Sequence, residues 1–175
     1  MRATGTIAVK YQVDVDIRMP PVPDGLNECQ ERRVRSFLRD VLGPHEQEHA
    51  RRYIETGGKD GHTWEGVTTL LLTTTGRRSG QARTTPLIYG RDGDRYVVVA
   101  SRGGAPAHPA WYENLTAQPE IQVQVMADRF KARARTASKA EKPALWKKMV
   151  AIWPPYEEYQ ARTPREIPVV IIERA

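Results

Sequence analysis

Arginines and glycines cluster in two short segments of the sequence, TTTGRRSG at residues 73–80 and SRGG at residues 101–104. Between residues 76 and 102 there are six arginines and two acidic residues, a local net charge of +4 in a chain of net charge +6. Glycine lets the backbone approach a phosphate, serine adds a hydroxyl donor, and the planar arginine fork matches phosphate oxygens in pairs. Together the two segments predict an anion-binding site, although either one alone is typical of an exposed basic hairpin.

The sequence HEQEH at residues 45–49 matches the H-E-x-x-H pattern of zinc metalloproteases. Two histidines four positions apart lie on one face of a helix, where they can share a zinc ion with the glutamate as base. A catalytic zinc needs a third protein ligand, and the other histidines, His62 and His108, stand at no spacing that marks either one. A solvated helix face explains the pattern as well, so a metalloprotease is the weaker alternative and no metal site is predicted.

Alternating cations at Arg129, Lys131, Arg133 and Arg135 form a third pattern, within a stretch from 129 to 148 that carries a net charge of +7. Alternation along a strand places these four side chains on one face. Such a face could follow a nucleic-acid backbone, which makes a nucleic-acid-binding module an alternative function. Because no aromatic residues accompany the cations for base stacking, a solvated strand face is the favoured interpretation.

Two further groups of side chains could take part in catalysis. Ser101 and His108 could pair as nucleophile and base, but no G-x-S-x-G turn or orienting acid accompanies them, so hydrolase chemistry is not predicted. Trp153, Tyr156 and Tyr159 lie three positions apart around two prolines. Such a stripe is more often core than pocket, but its rings could wall a flat ligand and its phenols could hand over a proton.

Hydrophobic periodicity predicts the elements that must position these residues. Helices are predicted over 27–42, from Pro44 to the Gly57-Gly58 pair, over 109–115 and over 142–153. Strands are predicted over 68–75, 83–90, 95–100, 121–126, 129–136 and 169–173. About six mostly antiparallel strands with helices at the corners favour an α+β, barrel-like fold.

Length and composition are those of one globular domain with an N-terminal extension. The 175 residues can bury a core without disulfides, and 27% charged and 39% hydrophobic residues are ordinary values. The single cysteine, Cys29, cannot form an internal disulfide, and no apolar run approaches the ~20 residues that span a bilayer. Residues 1–26 predict an extension with one edge strand and a proline-rich linker, whose order the pattern leaves open, and residues 27–175 predict the domain. The extension has no signal-peptide core, so a cytoplasmic protein is expected.

Four stretches resemble, in order and in spacing, the deazaflavin-dependent nitroreductase and quinone reductase family of actinobacteria. They are TLLLTTTGRRSGQARTTPLIY, DGDRYVVVASRGGAPAHPAWYENL, ARTA and WKKMVAIWPPYEEYQARTPREIPVVIIE. The resemblance covers about residues 57–173. It implies a split β-barrel that binds the 8-hydroxy-5-deazaflavin coenzyme F420 and reduces quinones, nitroaromatics or activated alkenes. The first two helices resemble the family only in type, and residues 1–26 have no counterpart in it.

Carried over by position, the resemblance implies three sets of site residues. The coenzyme's phosphate and acidic tail would meet Arg77, Arg78, Ser79 and Arg83, and on the second loop Val99, Ala100, Ser101, Arg102, Gly103 and Gly104. The ring would lie along the backbone of Thr84, Thr85, Pro86 and Leu87, flanked by Ala110, Trp111 and Asn114. The substrate side would be formed by Trp153, Tyr156 and Tyr159.

The reaction that this resemblance implies is hydride transfer from carbon 5 of the reduced deazaflavin to a flat electrophile, with no metal. Tyr156 is the candidate to stabilise a developing oxyanion or relay a proton, with Tyr159 and Ser101 as alternates. The partner is therefore a small electrophile and not nucleic acid. Peripheral membrane association stays open, as does the choice between monomer and homodimer.

The sequence departs from the family pattern in two ways. Arg78 and Arg102 stand where relatives often have lysine, a change that keeps the charge but alters its geometry. Trp153 stands where the nitro-drug reducer of the family has tyrosine. This second departure argues against that drug activity.

Overall fold

The computed structural model describes residues 44–175. It begins with helix α1 (Pro44–Glu55) and strands β1 (Thr63–Trp64), β2 (Val67–Thr75), β3 (Ala82–Asp92) and β4 (Arg95–Val99). A 3-10 turn (Arg102–Gly104) and helix α2 (Ala110–Ala117) precede strands β5 (Glu120–Val125) and β6 (Asp128–Thr136). Helices α3 (Lys142–Ile152) and α4 (Pro155–Ala161) and strand β7 (Val169–Arg174) complete it. The predicted extension, the predicted helix over 27–42 and Cys29 lie outside the described residues.

Six antiparallel strands close into a barrel. Their order is β2, β3, β4, β7, β6 and β5, and β5 pairs back onto β2 at Leu72↔Val123. The two-residue β1 adds to β2 outside this ring. The predicted α+β barrel is therefore confirmed, and each predicted strand lies within one or two residues of an observed one.

Alternate residues of the strands fill the barrel interior, as the two-residue period of a strand requires. This first core is closed at one end by Trp111 and Leu115 of α2. Its strand members include Leu70, Leu72, Val98, Ala100, Val123, Ala132, Val170 and Ile172.

Helices cover parts of the outer barrel surface. Helices α3 and α4 pack Leu145, Met149 and Tyr159 onto the outer residues of β4 and β7, which forms a second core. On another side, α1 packs Tyr53 against Leu71, and the Tyr53 hydroxyl donates to the Thr69 carbonyl over 3.0 Å. None of the helices within residues 44–175 combines the length and apolar character needed to cross a membrane.

The helix predicted over 142–153 is confirmed as α3, and a second, short helix that the sequence did not predict follows it. Helix α3 ends at Ile152, and Pro155 opens the short α4, which carries both Tyr156 and Tyr159. Proline is well accommodated in the first turn of a helix, because the amide hydrogen it lacks has no partner there. The two prolines therefore lie at the junction between α3 and α4, and the chain is helical on both sides of them.

Candidate functional site

The strand that carries the predicted ring-binding segment has one open edge. Strand β3 pairs with β2 from Ala82 to Ile88, but its pairing with β4 begins only at Tyr89. Within the described residues, segment 83–88 thus has no strand partner on the side away from β2. Residues 83–87 are all only half-buried. Backbone amides and carbonyls require hydrogen-bond partners, so this edge suits a planar ring with its own donors and acceptors.

The turn between β2 and β3 displays the first basic segment. The Gly76 amide donates to the Gln81 carbonyl, and the Gly76 carbonyl accepts a hydrogen bond from the Gly80 amide, both over 2.7 Å. A side chain at Gly76 would begin 2.7 Å from the Ser79 hydroxyl, so the turn closes only around glycine. Arg78 and Ser79 are exposed at its tip. This is the arrangement expected of an anion-binding turn.

Arg77 has a different role from its neighbour in this structure. Its guanidinium forms an ion pair with Glu113 of α2 over 2.6 Å. Its backbone amide donates to the Asn114 side chain over 3.1 Å, and Asn114 donates onward to Thr74 over 3.2 Å. Arg77 and Asn114 therefore fasten the turn to α2. That either contacts the coenzyme stays a prediction.

The second basic segment also docks on α2, which brings the two loops to the same end of the barrel. His108, in the loop that follows the 3-10 turn, packs its ring 5.0 Å from that of Tyr112 on α2. Arg102 is half-buried and donates to the His108 carbonyl over 3.3 Å. The structure thus places both predicted anion-binding loops around one helix, as the coenzyme site requires.

The remaining predicted coenzyme residues divide by burial. Arg83 is half-buried and donates to Gln81 over 3.3 Å, and Ala110 is exposed at the start of α2. The others are buried, and their contact with the coenzyme stays a prediction: Val99, Ala100, Ser101, Gly103, Gly104, Trp111 and Asn114.

Arg165, which no pattern in the sequence indicated, donates hydrogen bonds to backbone carbonyls of the second loop. It donates to the Ser101 carbonyl over 2.6 Å and to the Ala105 carbonyl over 2.8 Å. It lies in the stretch TPREIP, within the segment that carries the family resemblance. That placement is the only sequence signal for it, because periodicity gives no information about a contact made 60 residues away.

The predicted substrate-side aromatics are unequally exposed. Tyr156 and Tyr159 are 4% and 1% exposed and belong to the second core. Burial raises the pKa of Tyr159 to about 12, against a smaller lowering by the nearby Trp153 indole, and burial raises the pKa of Tyr156 further. Both phenols therefore stay protonated near neutral pH, and each keeps an O–H group that can donate a hydrogen bond. Their contact with a substrate stays a prediction.

Trp153 is half-buried and packs against a second indole that the sequence did not indicate. Its ring lies 5.6 Å from that of Trp64 at the end of β1, with the two planes tilted by 40°. The pair forms a partly exposed aromatic surface at the junction of α3 and α4. Such a surface is suited to stacking with a flat, apolar ligand.

Comparison with known proteins identifies the family. The model described as F420H(2)-dependent quinone reductase matches residues 45–174 of this chain. The chain belongs to the F420H(2)-dependent quinone reductase family. The resemblance inferred from the sequence is thereby confirmed, and the chain is an F420-dependent oxidoreductase.

Individual relatives agree with this assignment. The F420H(2)-dependent quinone reductase Rv1261c of Mycobacterium tuberculosis is 42% identical over 135 residues, which cover 72% of this chain and 87% of that protein. A solved structure described as an F420-H2 dependent reductase is 42% identical, with a TM-score of 0.56 over 60% of this chain and 93% of that one. Another, described as a domain-swapped dimer, is 37% identical, with a TM-score of 0.59 over 73% of this chain and 95% of that one. The split-barrel fold of this quinone reductase family is confirmed by these neighbours.

A groove of about 270 Å³ is lined by residues of β2, β3, β5 and β6, on the β2 side of β3 and so away from its open edge. Thr73 and Thr84 share a hydrogen bond of 2.8 Å at its centre. The side chains that line it are largely polar or cationic, including Gln122, Gln124, Arg129 and Lys131.

The structure gives no support to the metalloprotease alternative. His49 places Nε2 2.7 Å from the Gly61 carbonyl, and the side chain of His45 lies outside the described part of the chain. Glu48 pairs with Arg51 over 2.6 Å, as expected for a solvated helix face. From residue 46 onward, no three His, Cys, Asp or Glu side chains are grouped to hold a metal ion.

The basic strand β6 is a solvated face, as favoured from its sequence. Its four cations are exposed, and the alanines between them are buried in the barrel. Arg133 pairs with Glu120 over 3.0 Å, and Arg135 pairs with Glu141 over 2.8 Å. These ion pairs reduce the charge available to a nucleic acid.

We expect the second loop to loosen in mild acid because of His108. Burial, and then the Arg165 charge, lower the pKa of His108 below 6.5, while Glu113 opposes them. The unfolded chain therefore binds the proton first, and stability falls as the pH drops from about 6.5 through the lower folded-state pKa. The measurement is the thermal unfolding midpoint between about pH 7.5 and pH 5. His108→Asn, which keeps an acceptor without titrating, should lose less on acidification than wild type, and equal losses would contradict this role.

Proposed function

We propose that this chain transfers a hydride from reduced coenzyme F420 to quinones. The observation that carries the proposal is the open edge of β3, bordered by two basic loops in a chain of this family. Nitroaromatics and activated alkenes are proposed as further acceptors, because a stacking surface selects flatness and apolar character more than one functional group.

The residues present fit the coenzyme. Exposed or half-buried cations at Arg78, Arg83 and Arg102 are placed for its phosphate and acidic tail, since guanidinium groups bind phosphates and carboxylates in pairs of hydrogen bonds. The half-buried backbone over 84–87 would bind the ring edge. Glu113 forms an ion pair with Arg77, so Arg77 is proposed to contribute less positive charge to the site than Arg78 and Arg102.

When bound, the reduced coenzyme supplies the hydride, and the protein supplies binding, alignment and exclusion of water. The Trp64–Trp153 pair would cover one side of the acceptor and keep water from it. Reduction of a quinone places negative charge on its oxygen, which a proton donor stabilises. Tyr156 is proposed for that role, with Tyr159 and Ser101 as alternates, and the raised pKa keeps both phenols protonated near neutral pH, so that they can donate a hydrogen bond to this oxygen.

We expect Tyr156→Phe to lower turnover by about 10- to 100-fold, the low end for loss of an acid catalyst. The change keeps the ring in the second core and removes only the hydroxyl. The dissociation constant of the coenzyme should therefore stay within about twofold, since the cations that bind it are elsewhere. Steady-state kinetics and fluorescence titration measure the two quantities. Tyr159→Phe tests the alternate donor in the same way, and unchanged turnover in Tyr156→Phe would assign the proton to water, Ser101 or Tyr159.

The function is tested by following the oxidation of reduced F420 with a quinone, a nitroaromatic and an enone in parallel. We expect turnover with the quinone, and slower turnover with at least one of the others. Turnover with neither the quinone nor the other acceptors, in a chain that binds the coenzyme, would limit the proposal to binding. Trp153→Ala should raise the Michaelis constant of every acceptor and leave the dissociation constant of the coenzyme unchanged.

A further inference from the structure

Arg165 is the centre of a hydrogen-bond cluster beneath residues 100–108. Its Nη2 donates to the Ser101 carbonyl over 2.6 Å, and its Nε donates to the Ala105 carbonyl over 2.8 Å. Both terminal nitrogens lie 3.3 Å from the Ala100 carbonyl. One guanidinium thus holds three carbonyls of a single loop, and its rigid fork fixes their relative positions.

A fourth contact extends the cluster to the far end of the loop. Nη1 of Arg165 lies 3.1 Å from Nδ1 of His108, whose carbonyl accepts from Arg102 over 3.3 Å. These acceptors of Arg165 are carbonyl oxygens and a ring nitrogen, all of them neutral. Burial, and then the charge of Arg102, lower the pKa of Arg165. Two guanidinium groups therefore lie near each other, and an anion beside them would relieve their repulsion.

The loop held by this cluster has a strained backbone. Arg102, Gly103 and Gly104 have φ values of +49°, +60° and +81°. An L-residue such as Arg102 rarely adopts that region, and it persists only where surrounding contacts determine it. Gly104 also packs so closely on α4 that an added Cβ would lie 2.7 Å from the Tyr159 carbonyl. Arg165 and α4 together leave the loop one conformation.

We propose that Arg165 is a positioning residue for the coenzyme site, which holds the 100–108 loop in the strained conformation that sets the place of Arg102. The proposal rests on the proposed F420-dependent function. Arg165 acts through the loop and not by contact with the coenzyme or the acceptor. Its side chain extends to the loop from the segment that precedes β7, and its N–H groups donate to backbone carbonyls.

The test compares wild type with Arg165→Gln, Arg165→Lys and the control Arg133→Gln, which removes a charge from an exposed ion pair. Three quantities are measured: the F420 dissociation constant, amide hydrogen exchange over 100–108, and the Michaelis constant and turnover for reduced F420. Circular dichroism and the thermal midpoint establish that each variant is folded.

We expect Arg165→Gln to raise the dissociation constant at least about tenfold, the effect of a misplaced charged hydrogen bond, and to speed exchange over 100–108. The Michaelis constant should rise with the dissociation constant, while turnover at saturation stays within about threefold. In Arg165→Lys, the logarithm of the dissociation constant should return less than halfway from the Arg165→Gln value to the wild-type value. Lysine restores the charge but not the planar fork of the guanidinium group. Arg133→Gln should change none of these quantities.

Several results would overturn the proposal. Full recovery by lysine would show that only the charge matters. Faster loop exchange with unchanged coenzyme affinity would show that the loop conformation does not serve binding, and weaker affinity with unchanged exchange would indicate direct contact. If Arg165→Gln does not fold, the same criteria apply to Arg165→Lys. A wild-type chain that binds no F420 would instead refute the proposed function itself, which separates the two failures.

Discussion

Gly104→Ala is expected to lower the free energy of unfolding by about 2 to 5 kcal/mol. At a φ of +81°, an L-residue costs about 1 to 2 kcal/mol. Its Cβ would also lie 2.7 Å from the Tyr159 carbonyl, and relief of such overpacking costs about 1 to 3 kcal/mol more. Because the loop must move away from α4, coenzyme affinity should fall at least about tenfold. Chemical denaturation and fluorescence titration measure the two effects.

Gly93→Ala is the matched control for that substitution. Gly93 has a φ of +61° in the turn between β3 and β4, and an added Cβ would meet nothing within 4 Å. It therefore carries the backbone cost of about 1 to 2 kcal/mol without the steric one, and coenzyme affinity should not change. Equal losses of stability in the two variants would contradict the close packing of the loop on α4.

Arg102→Ala is expected to raise the dissociation constant of F420 by about 10- to 150-fold, which corresponds to the ~1.5 to 3 kcal/mol of a charged hydrogen bond. Arg102 is half-buried in the second loop, and among residues 44–175 its guanidinium donates to a neutral group, the His108 carbonyl. Its charge is therefore available to an anionic ligand. The effect should shrink as salt is added, because screening weakens the wild-type interaction. Titrations at low and high ionic strength measure both quantities.

Arg91→Ala separates a local effect from the loss of one positive charge anywhere in the protein. Arg91 is exposed at the far end of β3, where its guanidinium lies 4.1 Å from the centre of the Tyr96 ring. Its removal should change coenzyme affinity by less than about twofold at moderate salt, because charges beyond about 10 Å are largely screened. If Arg91→Ala and Arg102→Ala weaken binding equally, the second loop is not the site of the anion.

Features that depend on local sequence were predicted well. The six strands follow from short apolar or alternating runs, and α1 ends at the glycine pair because left-handed backbone is required there, with φ of +60° and +82° at Gly57 and Gly58. The tight turn at Gly76 also follows from its glycines, whereas anion binding by its arginines stays a prediction. In each case the physical cause lies within a few residues of its effect.

Features that depend on contacts between distant segments were not predictable from periodicity. Arg165 contacts a loop 60 or more residues earlier, and the Trp64 indole meets Trp153 only once β1 folds against the end of α3. For the same reason, the sequence did not reveal that Arg77 pairs with Glu113. Spacing alone could not distinguish Arg77 from the exposed Arg78. Family resemblance supplied the coenzyme and the reaction class, neither of which composition could specify.

The most direct test of the central claim is a fluorescence titration of the protein with oxidised F420, run in parallel with riboflavin phosphate and a duplex oligonucleotide. We predict a dissociation constant in the micromolar range or lower for F420, with much weaker binding of riboflavin phosphate and of the duplex. The arginines around the β3 edge account for the preference for an acidic tail. Tight binding of the duplex with no binding of F420 would contradict the account and make the basic face of β6 the functional surface.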